Sequence, residues 1–142
     1  MLRRVRGRSS GDGITAKRPR LLPVDSLFHI VSPADWPAGG DYRPASLAEE
    51  GFVHLSFADQ VERVANALYL DAADLVVVEL DPTALETEVR VEDSYGAGEA
   101  FPHAYGPLPV AAAVAVHPLT RGADGNWEFT RGAAAVPASP GR

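Results

Sequence analysis

Residues 74–81, DLVVVELD, set Leu75, Val76, Val77, Val78 and Leu80 in one short run broken only by Glu79. Successive side chains of a strand point to opposite faces. A strand that is apolar at consecutive positions therefore has to be covered on both faces. This stretch commits the chain to a sheet buried from two sides, and the other segments have to supply the cover.

Several do. LFHIV, residues 27–31, reads as a first strand, with Leu27, His29 and Val31 on one face and Phe28 and Ile30 on the other. SPADW follows as a short helix, with Ser32 as N-cap, Pro33 at the first helical position and Asp35 at capping-box spacing. GGDYRP is a loop by its glycines and proline. SLAEEG repeats the capping logic, with Ser46 as cap, Glu49 reaching back and Gly51 ending the turn. FVHLS, residues 52–56, is a second strand, and Ser56, three residues before Asp59, is placed to cap the next helix.

That helix is the one well-marked helix of the chain. Val61, Val64, Ala65 and Leu68 form an apolar stripe at i, i+3, i+4 and i+7, with Glu62, Arg63 and Asn66 on the other side. DPTAL starts a short helix capped by Asp81. EVRVED alternates Val89 and Val91 with Arg90 and Glu92, which predicts a half-exposed strand. SYGAGEAFPHAYGPLP, residues 94–109, reads as a loop, AAVAVHPL as another apolar strand, and NWEFTR as an edge strand. The outcome is an α+β domain with one main helix and short helical turns between strands.

The chain has 142 residues, which fits one domain. Its net charge of −6 hides an asymmetry. Residues 1–20 carry seven basic residues against Asp12, so they hold +6 and the remainder holds −12. An acidic folded part argues against a broad nucleic-acid surface. The expected organisation is a basic disordered leader over residues 1–24, a single domain over 25–131 and a disordered tail over 132–142. The leader lacks the apolar h-region of a secretory signal. No apolar run approaches the roughly 20 residues that cross a bilayer, so no membrane association is expected. There are no cysteines, which removes disulfides, thiolate zinc sites and cysteine nucleophiles and is compatible with the expected cytoplasmic location.

Chemistry then rests on His29, His54, His103 and His117. His54 raises a question, because a core face of a strand has no need of a histidine. His103 sits in FPHAYGPLP, whose three prolines and one glycine restrict its shape. His117 ends a strand beside Pro118 and reads as a surface residue. The first three histidines are 25 and 49 residues apart, with no HxxxH or HxH pair, so spacing supports no metal site and none is expected. HLSFA lacks the glycine frame of a nucleophile elbow, so Ser56 reads as a cap rather than a nucleophile. Two histidines on strands and a third in a stiff segment beside Tyr105 are materials for a polar ligand pocket.

FHIVSPADW, DYRPASLAEEGFVHLSFADQVERVAN, DLVVVELDPTAL, EVRVED and GEAFPHAYGPLPVAAAVAV, in this order, resemble the bacterial family named domain of unknown function 952, from about residue 27 to 119. The resemblance implies an ADP-ribosyltransferase-like fold, a split and curved β-sheet around a cleft for nicotinamide dinucleotide. It implies a possible NAD-dependent ADP-ribosyl or 2′-phosphate transferase, with NAD or a related nucleotide as the ligand. His29 maps to the first-strand residue that holds the dinucleotide. His54 and Ser56 map to the second motif, on the nicotinamide side, with His54 as a catalytic residue. His103 and Tyr105 are expected to close the cleft, and Arg43 to meet a phosphate, since guanidinium matches phosphate oxygens. The third motif of such enzymes is a glutamate. Glu79, Glu92 and Glu99 are the candidates, and Glu92, at the end of a strand, is the choice for a catalytic carboxylate. The alternative is a non-catalytic small-molecule-binding or accessory domain built on the same pocket.

Overall fold

The computed structural model describes residues 26–130 and the backbone of 136–137. The expected leader lies outside the described residues, as does the expected tail apart from those two positions.

The strands are β1 (Leu27–Val31), β2 (Asp41–Tyr42), β3 (Val53–His54), β4 (Val76–Leu80), β5 (Val89–Glu92), β6 (Phe101–Ala104), β7 (Leu108–Pro109), β8 (Ala113–Pro118), β9 (Thr120–Arg121), β10 (Trp127–Glu128) and β11 (Val136–Pro137). Two helices, α1 (Ala45–Glu50) and α2 (Val61–Leu68), join them, with short 3-10 turns at Pro33–Asp35, Pro82–Ala84 and Val110–Ala112. This is the α+β class expected.

β4 lies inside a sheet of order β1-β4-β8-β11, with antiparallel neighbours throughout. Its alternation feeds two cores. Val78 and Leu80 join Leu27, Val31, Val53, Leu55, Ala104 and Leu108 on one face. Val77 joins Phe28, Ile30, Val61, Ala65, Leu119 and Trp127 on the other. Burying a side chain of this size stabilises by about 1.5–3 kcal/mol, and α2 and the β9–β10 hairpin cover the second face. The doubly buried strand read from DLVVVELD is what the two cores require.

A second sheet, of order β3-β6-β5, stands beside the first. The segment after β3 joins them. Leu55 N–H donates to Pro102 in β6, and the next residue, Ser56, exchanges both backbone bonds with Phe28 in β1, at 2.9 and 2.8 Å. The two sheets thus meet along one seam.

Ser56 is therefore a bridge residue and not a helix cap. α2 starts later, at Val61, and its N-terminal turn is tied by Gln60 Oε1, which accepts from Phe57 N–H. Ser46 does not cap either: α1 starts after Pro44, and the Ser46 hydroxyl donates to the Phe52 carbonyl across the turn. Gly51 does end α1, at φ 90°, where its N–H reaches the carbonyls of Ser46 and Leu47. Asp81 caps its turn as expected, accepting from Thr83 N–H at 2.9 Å.

The expected loop around His103 contains a strand. β6 pairs with β3 on one side and β5 on the other despite Pro102. The Pro102 carbonyl faces Leu55, and a strand residue's N–H points to the same side as its C=O. The donor that proline lacks would thus face the point where residues 55–56 leave β6 for β1, so little pairing is lost. Within the expected tail, the backbone of Val136 and Pro137 runs antiparallel to Val116 and Ala115. No helix among the described residues is long and apolar enough to cross a membrane.

Candidate functional site

An open cleft of about 490 Å³ runs along the seam between the sheets, with the end of α2 as one bank. The stripe of α2 divides there. Val61 and Ala65 are buried in the core, while Val64 and Leu68 line the cleft, Leu68 being 69% exposed. Tyr42, Tyr69, Tyr95 and Phe101 add aromatic surface, and Asp35 is the one carboxylate of the lining.

His29, His54, Ser56 and His103 all line this cleft. They arrive from β1, β3, the bridge residue and β6. His54 and His103 stand opposite each other in the β3–β6 pair, with ring centroids 5.4 Å apart.

Each histidine is held differently. His29 is buried, with Nδ1 at 2.8 Å from the His54 carbonyl oxygen and Nε2 at 3.1 Å from the Tyr42 hydroxyl. Burial pulls its pKa down from 6.5 to about 4, so the ring is neutral near pH 7. His54 is 43% exposed at its side chain, and its Nε2 lies 2.6 Å from Glu50 Oε1 at the end of α1. Tyr95 completes this group, donating to Glu50 at 3.1 Å and stacking along His54. The hydrogen bond from His54 holds the Glu50 carboxyl below its ordinary range. His103 is 1% exposed, stacked on Phe52 at 4.0 Å, with Nδ1 at 3.0 Å from Glu92 Oε2. A carboxylate only accepts, so a hydrogen rides on His103 Nδ1.

Glu92, Tyr105 and Arg43 do not line the cleft. Glu92 stands behind His103, where it also takes the Tyr105 hydroxyl hydrogen. Partial burial pushes its carboxyl up, but the bonds from Tyr105 and His103 outweigh this and hold it below the usual range. The Tyr105 ring faces Arg90, 4.4 Å from its centroid. Arg43 is 66% exposed and 3.9 Å from Asp41. The other glutamate candidates are engaged elsewhere. Glu99 grips Arg63 through two bonds and accepts from Gln60, which holds its pKa at about 2. Glu79 sits in the interior with His117 Nε2 at 2.7 Å. His117 is accordingly buried, contrary to the surface position expected from its neighbour Pro118. β8 runs beside β4 and turns that histidine toward Phe28 and Phe129.

Sequence reasoning missed Glu50, Tyr42 and Tyr95. Glu50 lies four residues before His54, but the glycine turn between them hides the pairing. No three histidines or carboxylates among the described residues are grouped to hold a metal ion.

Fold and site together define a small α+β domain with a histidine-lined cleft at the seam of two sheets. The chain belongs to the family described as Protein of unknown function (DUF952), whose profile matches residues 30–116. The crystal structure of protein CC0527 from Caulobacter crescentus is 31% identical, with a TM-score of 0.63 over 72% of this chain and 93% of that one. The solution NMR structure of CC0527 is likewise 31% identical, with a TM-score of 0.61 over 71% and 90% of the two chains. No curated protein matches the chain.

Proposed function

We propose that the cleft binds NAD or a related nucleotide and serves ADP-ribosyl transfer. The observation that carries this reading is the convergence of His29, His54 and His103, from three strands, on one open cleft with a carboxylate in hydrogen-bond contact with His54. A sheet divided into two halves joined at one seam agrees with the split, curved sheet of ADP-ribosyltransferases.

His54 is the base in this reading. Its Nε2–H points to Glu50, so in the neutral ring the lone pair is on Nδ1, the atom that acts as base in this reading. It takes the proton of the attacking acceptor hydroxyl. NAD would supply the ADP-ribosyl group, with nicotinamide as leaving group. Tyr42, Tyr69 and Phe101 give flat surface for a ring. The phosphates find no lysine or arginine in the lining, and Arg43, next in the chain to Tyr42, is the cation assigned to them. Glu92 acts through His103 as a positioning residue.

A second reading, a non-catalytic binding or accessory domain, is favoured by one observation. Glu79, Glu92 and Glu99 are each tied to other side chains and none lines the cleft. Incubation of the chain with millimolar NAD separates the two. Nicotinamide release that falls at least about a hundredfold in His54→Ala supports transfer, in the range of general-base contributions. A thermal shift without release supports binding alone. Neither release nor shift removes NAD as the ligand.

A further inference from the structure

The direction of the hydrogen bond between Tyr42 and His29 is set from its far end. The His54 carbonyl oxygen can only accept, so the hydrogen at that 2.8 Å contact sits on His29 Nδ1. A neutral imidazole has a single N–H. Nε2 therefore keeps a lone pair and takes the hydroxyl hydrogen of Tyr42 at 3.1 Å. Burial supports both protonation states. It holds His29 neutral, at about 4, and it pushes the Tyr42 hydroxyl up to about 12, with the charge of Asp35 adding to the effect. The Tyr42 oxygen has no hydrogen left to give and offers the cleft only lone pairs.

The surroundings point the same way. Asp35 lines the same cleft, close enough for its charge to act on Tyr42, and no lysine or arginine is part of the lining. A carboxylate or phosphate oxygen placed against Tyr42 would meet another acceptor and a negative charge. An N–H or O–H would meet an oriented lone pair.

We propose that Tyr42, oriented by His29, is a specificity residue: an acceptor-only pole that selects an uncharged donor-bearing group of the ligand, of the carboxamide kind, and rejects an acid in that place. This rests on the reading of the cleft as a site for a nicotinamide-bearing ligand, and it adds which chemical group the site reads.

Nicotinamide and nicotinate form a matched pair of probes, differing by an amide NH2 against a carboxylate oxygen. Each is titrated into the ¹⁵N-labelled full chain while the amide shifts of the cleft residues are followed. Nicotinamide is expected to saturate at a concentration about tenfold or more below nicotinate, the order of one hydrogen bond kept or lost. In Tyr42→Phe the two are expected to come within about threefold, through weaker nicotinamide binding. His29→Asn is the second variant. Its amide N–H can still reach the His54 carbonyl but offers nothing at the place of Nε2, so the Tyr42 hydroxyl is released to donate and the preference narrows. Preference in the parent chain that is lost in either variant supports the inference. Equal binding, stronger nicotinate binding, or a preference that survives in every variant that folds overturns it and leaves the ligand cleft standing. Absence of any shift with both compounds overturns the inference and the nicotinamide reading together.

Discussion

Acidification tests the state of His29 directly. Its ring is buried against the seam, and burial is the largest influence on its pKa. The bond to the His54 carbonyl, which an imidazolium would keep, pulls upward but more weakly, and the value settles at about 4 against an ordinary 6.5. Between those two values the unfolded chain binds a proton at this position and the folded chain does not. Stability therefore rises with pH across that window and is lost as pH falls through it. At roughly 1.4 kcal/mol per pH unit the interval corresponds to about 3 kcal/mol, fully present above pH 6.5 and gone below pH 4. The assay is urea unfolding of the parent chain and of His29→Asn at a series of pH values from 7 to 3.5. Other groups titrate in both chains, so the difference between the two curves isolates His29. The variant is expected to be less stable at pH 7, because it lacks the bond to Tyr42, and to lose about 3 kcal/mol less on acidification. Parallel curves would refute the reasoning, as would an NMR titration of His29 with a midpoint near 6.5.

Leu80→Ala, at a fully buried position of β4, should destabilise by about 2–5 kcal/mol in urea unfolding, with the cavity adding to the lost transfer energy. Gly51→Ala places a side chain at φ 90° with open space around it, so the cost is backbone strain alone, about 1 kcal/mol by the same measurement. Carbon-detected NMR of the Glu99 carboxyl should show a midpoint near 2 that moves toward 4.5 in Arg63→Ala, since the Arg63 bonds come first among its causes. The stabilisation this carboxylate gives is present above 4.5 and disappears as pH falls toward 2.

Much of the fold was legible because local rules and tertiary demands agreed. Leu27–Val31, Val76–Leu80 and Ala113–Pro118 carry the expected apolar runs, and Val61–Leu68 forms the expected helix. Agreement failed where the same residue had two possible local roles. Ser46 and Ser56 have good cap spacing, but one hydroxyl is drawn to the Phe52 carbonyl and the other residue's backbone is taken by Phe28. FPHAYGPLP reads as a loop by its prolines, yet its first four residues form β6, because the donor that Pro102 lacks falls where the neighbouring chain turns away.

The sequence by itself determined that β4 must be covered on both faces and where the main helix runs, and it offered His29, His54 and His103 as materials for a polar pocket. The first two follow from periodicity, which is local. Only the tertiary structure decided which carboxylate His54, His103, His117 and Arg63 each meet. Glu50 reaches His54, Glu92 reaches His103, Glu79 reaches His117 and Glu99 reaches Arg63. Three of these four pairs bring together residues 11 to 38 positions apart. Hydrogen bonds act over about 3 Å, so only the packed sheets could select among glutamates that the sequence presents alike.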